Sequence, residues 1–125
     1  MARILIVDDD PDVTETIRLV LEKEGHKISS ASNQRDGLAA VEKFKPELLI
    51  LDVIMEESDD GIAMAQELRR RGFKKPILML TSLGSVTGYT FGSQEGVVPV
   101  DDFQEKPIAP AKLAARVAAL LKKEA

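Results

Sequence analysis

The chain of 125 residues has no cysteine and one histidine. Without cysteine there is no disulfide framework and no thiol chemistry, a composition that fits a reducing cytoplasm. The histidine, His26, follows Gly25 and has no nearby acid or second histidine, so it reads as structural or exposed rather than as a metal ligand or general base. No apolar run approaches the roughly 20 residues of a membrane span. The N-terminal MARILIVDDD carries acid too soon after its apolar run for a signal peptide. Positive charge is also scarce: 17 basic against 21 acidic side chains leave a net charge of -4. That balance argues against nucleic acid as a direct partner, because phosphate binding needs a concentrated basic surface. The basic runs, Arg69 to Arg71 with Lys74 and Lys75, and Lys122 with Lys123, read as solvated helix ends.

What is present is a strict alternation of strand-length apolar runs with amphipathic helical patterns. Ile4–Val7, Leu48–Leu51 and Ile77–Leu80 are continuous apolar runs bounded by breakers, as for parallel strands covered on both faces. His26–Ala31 is weaker and belongs nearer an edge. Asp10 is placed to cap a helix with Pro11 at its first position; Val13, Ile17, Val20 and Leu21 then share one face until Gly25 ends it. A second helix follows Asn33 with Leu38, Val41 and Phe44 inward, and Pro46 stops it. A third runs from about Gly61 to Arg71 with Ile62, Ala65 and Leu68 inward. The last starts near Pro110, with Leu113, Val117, Leu120 and Leu121 inward. A chain of this length accommodates one domain, residues 1–125.

In an open parallel α/β sheet ligands collect outside the carboxyl ends of the strands. Here those ends carry Asp8 and Asp9, Asp52, Thr81 and Ser82, and, after a short strand around Phe103–Glu105, Lys106 and Pro107. Three carboxylates with few other ligands suit a hard divalent cation, Mg²⁺ or in its place Mn²⁺, which keeps several waters and leaves positions for substrate oxygens. A hydroxyl and an ammonium opposite such a centre make a cradle for a phosphoryl group. Asp52, ending the central strand, is the natural acceptor. Taken singly, each of these residues has a plainer reading as a cap, a surface lysine or core. Their order and their shared place at strand ends select the chemistry.

The motifs VDDD at Val7–Asp10, LD at Leu51–Asp52, LTS at Leu80–Ser82 and FQEKP ending at Pro107 resemble the receiver domain of two-component response regulators, over essentially the whole chain. The resemblance implies a flavodoxin-like, doubly wound, five-stranded parallel sheet of order 2-1-3-4-5 with helices on both faces. It implies that Asp52 is the phosphoacceptor, and that Asp9, Asp52 and the backbone carbonyl of Ile54 bind the metal, with Asp8 helping through water. Thr81, Ser82 and Lys106 would hold the phosphoryl oxygens, Thr81 and Phe103 would switch, and the Lys106–Pro107 bond would be cis. The implied partner is a sensor histidine kinase or phosphotransfer protein presenting a phosphohistidine; the output lies with an unknown partner or a missing output domain, and a phosphorylation-dependent homodimer is compatible with the pattern. Such a domain is a signalling module rather than an enzyme, although it assists its own phosphorylation and dephosphorylation.

Two stretches depart from the family pattern. After Met55 the customary proline is replaced by Glu56, and EESDDG is one residue longer than usual. Between Leu83 and Val100, where a fourth helix belongs, Gly84, Gly88, Gly92 and Gly96 recur every fourth residue. At roughly 1 kcal/mol each relative to alanine, they oppose a long helix, so the sequence predicts a short or irregular one. A competing enzymatic reading is a small phosphohydrolase of the haloacid dehalogenase type, with Asp8 and Asp10 as nucleophile and acid; it leaves Asp52 without a nucleophile's role and the chain without room for a cap domain.

Overall fold

A computed structural model describes residues 2–52, 60–81, 102–105 and 109–124; for Thr81 and Phe103 the description extends to the backbone alone. The elements are β1 (Arg3–Val7), α1 (Pro11–Lys23), β2 (Lys27–Ala31), α2 (Gln34–Phe44), β3 (Leu48–Asp52), α3 (Asp60–Arg70), β4 (Ile77–Thr81), β5 (Asp102–Glu105) and α4 (Pro110–Glu124). All strands pair in parallel in the order β2-β1-β3-β4-β5. The fourth helix expected between Leu83 and Val100 lies outside the described residues.

Period-two geometry divides the strand side chains between two cores. Leu5, Val7, Leu49, Leu51, Ile77 and Met79 face α2 and α3, where Met64, Ala65 and Leu68 meet them. Ile4, Ile6, Leu48, Ile50, Leu78 and Leu80 face the other way, onto Ile17 and Leu21 of α1 and Leu113, Val117 and Leu120 of α4. Central strands buried on both faces must be apolar throughout, which is why β1, β3 and β4 read as unbroken runs. The edge strand β2 is only half buried, and its KISSA sequence is correspondingly mixed.

Local chemistry fixes where the helices begin and end. The Asp10 carboxylate accepts from the amides of Asp12 (2.9 Å) and Val13 (3.4 Å), with Pro11 in the first turn. At the other end of α1, Gly25 adopts φ +94°; its amide donates to the Glu22 carbonyl and the His26 amide to that of Leu21, a Schellman closure. Gly72 closes α3 in the same way. Any side chain at Gly25 enters a left-handed backbone, so Gly25→Ala should lower stability by about 1 kcal/mol, measured by denaturant unfolding.

His26 sits beside this turn, where its Nδ1 accepts from the Ala2 amide at 3.2 Å. Burial pushes the imidazole below its ordinary pKa, the chain's N-terminal charge acts in the same direction, and Glu24 and Glu47 oppose them. The folded state therefore binds fewer protons than the unfolded one just below the ordinary histidine value of 6.5. Stability from this group is present above that pH and is lost as pH falls through the lowered folded-state pKa. Denaturant midpoints measured across that range should decline on acidification, and His26→Gln should flatten the decline.

Candidate functional site

The site is set by register. Val7 of β1 lies opposite Leu51 of β3, so Asp8 and Asp52 follow as the next residues of adjacent parallel strands. The Asp8 amide donates to the Ala31 carbonyl at 3.1 Å, extending the ladder by one residue and holding Asp8 inward. Its Oδ1 accepts from the Asp10 amide at 2.9 Å. Asp8 and Asp52 are 3% and 6% exposed, whereas Asp9 is open to solvent. Three consecutive acids thus face three ways: Asp8 into the strand end, Asp9 outward at the rim, and Asp10 onto the amides of α1.

Oxygen atoms of Asp8, Asp9 and Asp52 lie within 4.8 Å of one another. At an effective dielectric near 20, each ionised pair at that distance repels by about 3 kcal/mol, less where solvent reaches. The donor set fits a hard divalent cation, which takes carboxylate oxygens and keeps several waters: Asp9 and Asp52 would hold it directly and Asp8 through one of those waters. A concavity of about 580 Å³ opens beside Asp8 and Asp9, with Thr14, Ser32 and Asp36 on its walls. Glu15, on the same wall, is held below the ordinary carboxylate range by its hydrogen bond to Arg18.

Asp52 closes β3 and Thr81 closes β4; Asp52 lies opposite Leu80 and Thr81 opposite Glu105. Phe103 is placed by its backbone opposite Met79. The structure thus brings Asp8, Asp9 and Asp52 together as a carboxylate cluster and places Thr81 at the same edge of the sheet. Ile54, Ser82, Lys106 and Pro107 lie outside the described residues, as does the cis bond expected between the last two.

Residues 4–118 match the family model described as the response regulator receiver domain. This chain belongs to that family. Curated relatives of the receiver domain include the alkaline phosphatase synthesis transcriptional regulatory protein PhoP of Bacillus subtilis, 34% identical over 97% of this chain and 49% of PhoP. Response regulator MprA of Mycobacterium leprae is 38% identical over 97% of this chain and 51% of MprA. The chain spans about half the length of these relatives. Among solved structures, the Francisella response regulator 1452 receiver domain covers 100% of both chains with a TM-score of 0.85 at 25% identity. The BeF3-activated receiver domain of Klebsiella pneumoniae RstA matches 96% of this chain and 98% of its own at TM-score 0.79 and 26% identity. The family assignment sets aside the phosphohydrolase alternative. Asp10 is engaged as the cap of α1, and Asp52 occupies the central strand.

One feature of the receiver domain that sequence periodicity misses lies directly behind the site. Gly37 is the buried residue of α2, and a Cβ there would meet Met64 Cε at 2.8 Å and the Val7 methyls at 3.0 and 3.1 Å. The helix rests its backbone on Val7, the residue before Asp8. Leu38, Val41 and Phe44 flank this contact half-buried. Apolar spacing does not reveal a glycine used for close approach, whereas Met64, four residues before Leu68 on α3, lies on the inward face that such spacing marks. In the structure it fills the space that Gly37 leaves.

Proposed function

We propose that the domain accepts a phosphoryl group on Asp52 from a phosphohistidine of a sensor kinase or phosphotransfer protein, and that its output surface responds. What supports the reading is the convergence of Asp8, Asp9 and Asp52 at the carboxyl ends of neighbouring central strands in a chain of the receiver family. An Asp52 carboxylate oxygen attacks phosphorus in line; the new P–O bond forms as the donor's P–N bond breaks, and the imidazole leaves, taking up a proton. Mg²⁺, or Mn²⁺, when bound would neutralise the charge of the carboxylates and of the transferring group. Asp9 and Asp52 would hold it directly, with the Ile54 carbonyl, and Asp8 through water.

Asp8 contributes most by its fixed position: its two backbone-anchored contacts hold a charge beside Asp52 with little freedom to reorganise. Thr81, Ser82 and Lys106 receive the phosphoryl oxygens, and Thr81 and Phe103 carry the change to the output surface, with a cis Lys106–Pro107 bond aiming the lysine. The domain corresponds to residues 1–125, acts as a signalling module and works in the cytoplasm; no helix among the described residues is long and apolar enough to cross a membrane. The output partner, or a dimer formed on phosphorylation, lies downstream of this step. The test is intact mass after incubation with a small acyl phosphate and Mg²⁺. One added phosphoryl group that fails to appear when the metal is chelated before the donor is added supports the reading, and an unchanged mass with Mg²⁺ present refutes it.

A further inference from the structure

At the opposite end of the sheet from the acids, the molecule carries a basic groove. Two concavities of about 870 and 530 Å³ share Val41, Lys45, Gly72 and Phe73, and so adjoin along a groove between the C-terminal ends of α2 and α3. Its floor is apolar, from Leu38, Val41, Leu68 and Phe73. Its rim carries five basic and two acidic side chains, an excess of three positive charges on a chain whose net charge is -4.

The arginines near this groove are occupied in building it. Arg3 Nε donates to the carbonyls of Phe44 (3.1 Å) and Lys45 (3.0 Å), and Arg69 Nη1 to those of Phe73 and Lys75 (2.9 Å each) while its guanidinium lies 5.9 Å from the Phe73 ring centre. Arg71 pairs with Glu67 and Glu42. These contacts neutralise the carbonyl-rich helix ends, which would otherwise repel an anion. Lys45 and Lys74 differ: both are exposed, and neither makes an ion pair among the described residues. Lys45 is moreover fixed at φ +52°, where the end of α2 presents it to the groove.

We infer that this groove is a docking surface for an acidic peptide segment of a partner protein, with an apolar side chain of that segment seated between Val41 and Phe73 and its carboxylates meeting Lys45 and Lys74. Apolar anchoring and charge complementarity together favour a peptide over a nucleic acid, whose phosphates would leave the floor unfilled. The groove stands apart from the carboxylate cluster, so its occupancy does not depend on the phosphoryl chemistry proposed above.

The experiment is to pan a random dodecapeptide library on the immobilised domain and to measure the enriched peptides by fluorescence anisotropy against wild type and Lys45→Glu/Lys74→Glu. The inference predicts enriched peptides that combine acidic residues with an aromatic or aliphatic anchor. It also predicts at least tenfold weaker binding to the double variant and weaker binding at high salt. The variant's unchanged circular dichroism and melting temperature would show that its fold is intact. Absence of enrichment over bare matrix, enriched peptides without acidic bias, or affinity unaffected by the double reversal would each overturn it. So would displacement of the peptides by a short DNA duplex at lower concentration than by competing acidic peptide, which would make the groove a nucleic-acid site.

Discussion

Asp52→Asn should abolish phosphoryl uptake. With a small acyl phosphate and Mg²⁺, the wild-type domain should gain one phosphoryl group, and the variant should remain at the background set by the donor's own hydrolysis. The amide oxygen is a far poorer nucleophile than the carboxylate oxygen, and the replacement is nearly isosteric, so the loss is chemical rather than structural. Asp52 is only 6% exposed and neighbours Asp8 across the β1–β3 ladder, so removing its charge also relieves repulsion within the cluster. The variant should therefore remain folded, with a cooperative metal-free melt. A variant that lost uptake because it unfolded would lack that transition, which separates the two explanations.

The second large effect concerns the metal. A cation that binds only the folded state stabilises it by about 2.7 kcal/mol when present at a hundred times its dissociation constant. Thermal melts with Mg²⁺ or Mn²⁺ should show that gain for wild type and lose most of it in Asp9→Asn, which removes one carboxylate from a cluster whose oxygens lie within 4.8 Å. In chelator the ranking should reverse. Asp9→Asn then gains up to about 1 kcal/mol, because it removes one repelling charge whose effect solvent partly screens. A metal-dependent shift that survives in Asp9→Asn would move the cation to the acidic stretch from Glu56 to Asp60.

How far the sequence carries this picture depends on what kind of signal each feature leaves. β1, β3 and β4 were legible because a strand covered on both faces has no freedom but to be apolar, and α1 was legible to its cap because Asp10, Pro11 and Gly25 each have one good place in a helix. The site's acids were legible as residues at strand ends; their mutual approach follows from the register of β1 against β3, which no single strand contains. Gly37 was not legible. A helix that buries a glycine against a strand reverses the usual link between burial and hydrophobicity. The paired arginines around Phe73 show the converse. Their sequence reads as a solvated helix end, whereas in the structure Arg69 is spent on the Phe73 and Lys75 carbonyls and Arg71 on the Glu67 carboxylate, with Lys74 exposed on the groove's rim.

The measurement that tests the central claim most directly is location of the phosphoryl group. The domain is labelled with an acyl phosphate and Mg²⁺, the acyl phosphate on the protein is trapped by borohydride reduction to homoserine, and the modified peptide is sequenced by mass spectrometry. The account predicts reduction at Asp52, at the end of β3. Reduction at Asp8 or Asp9 instead, with Asp52 intact, would contradict it.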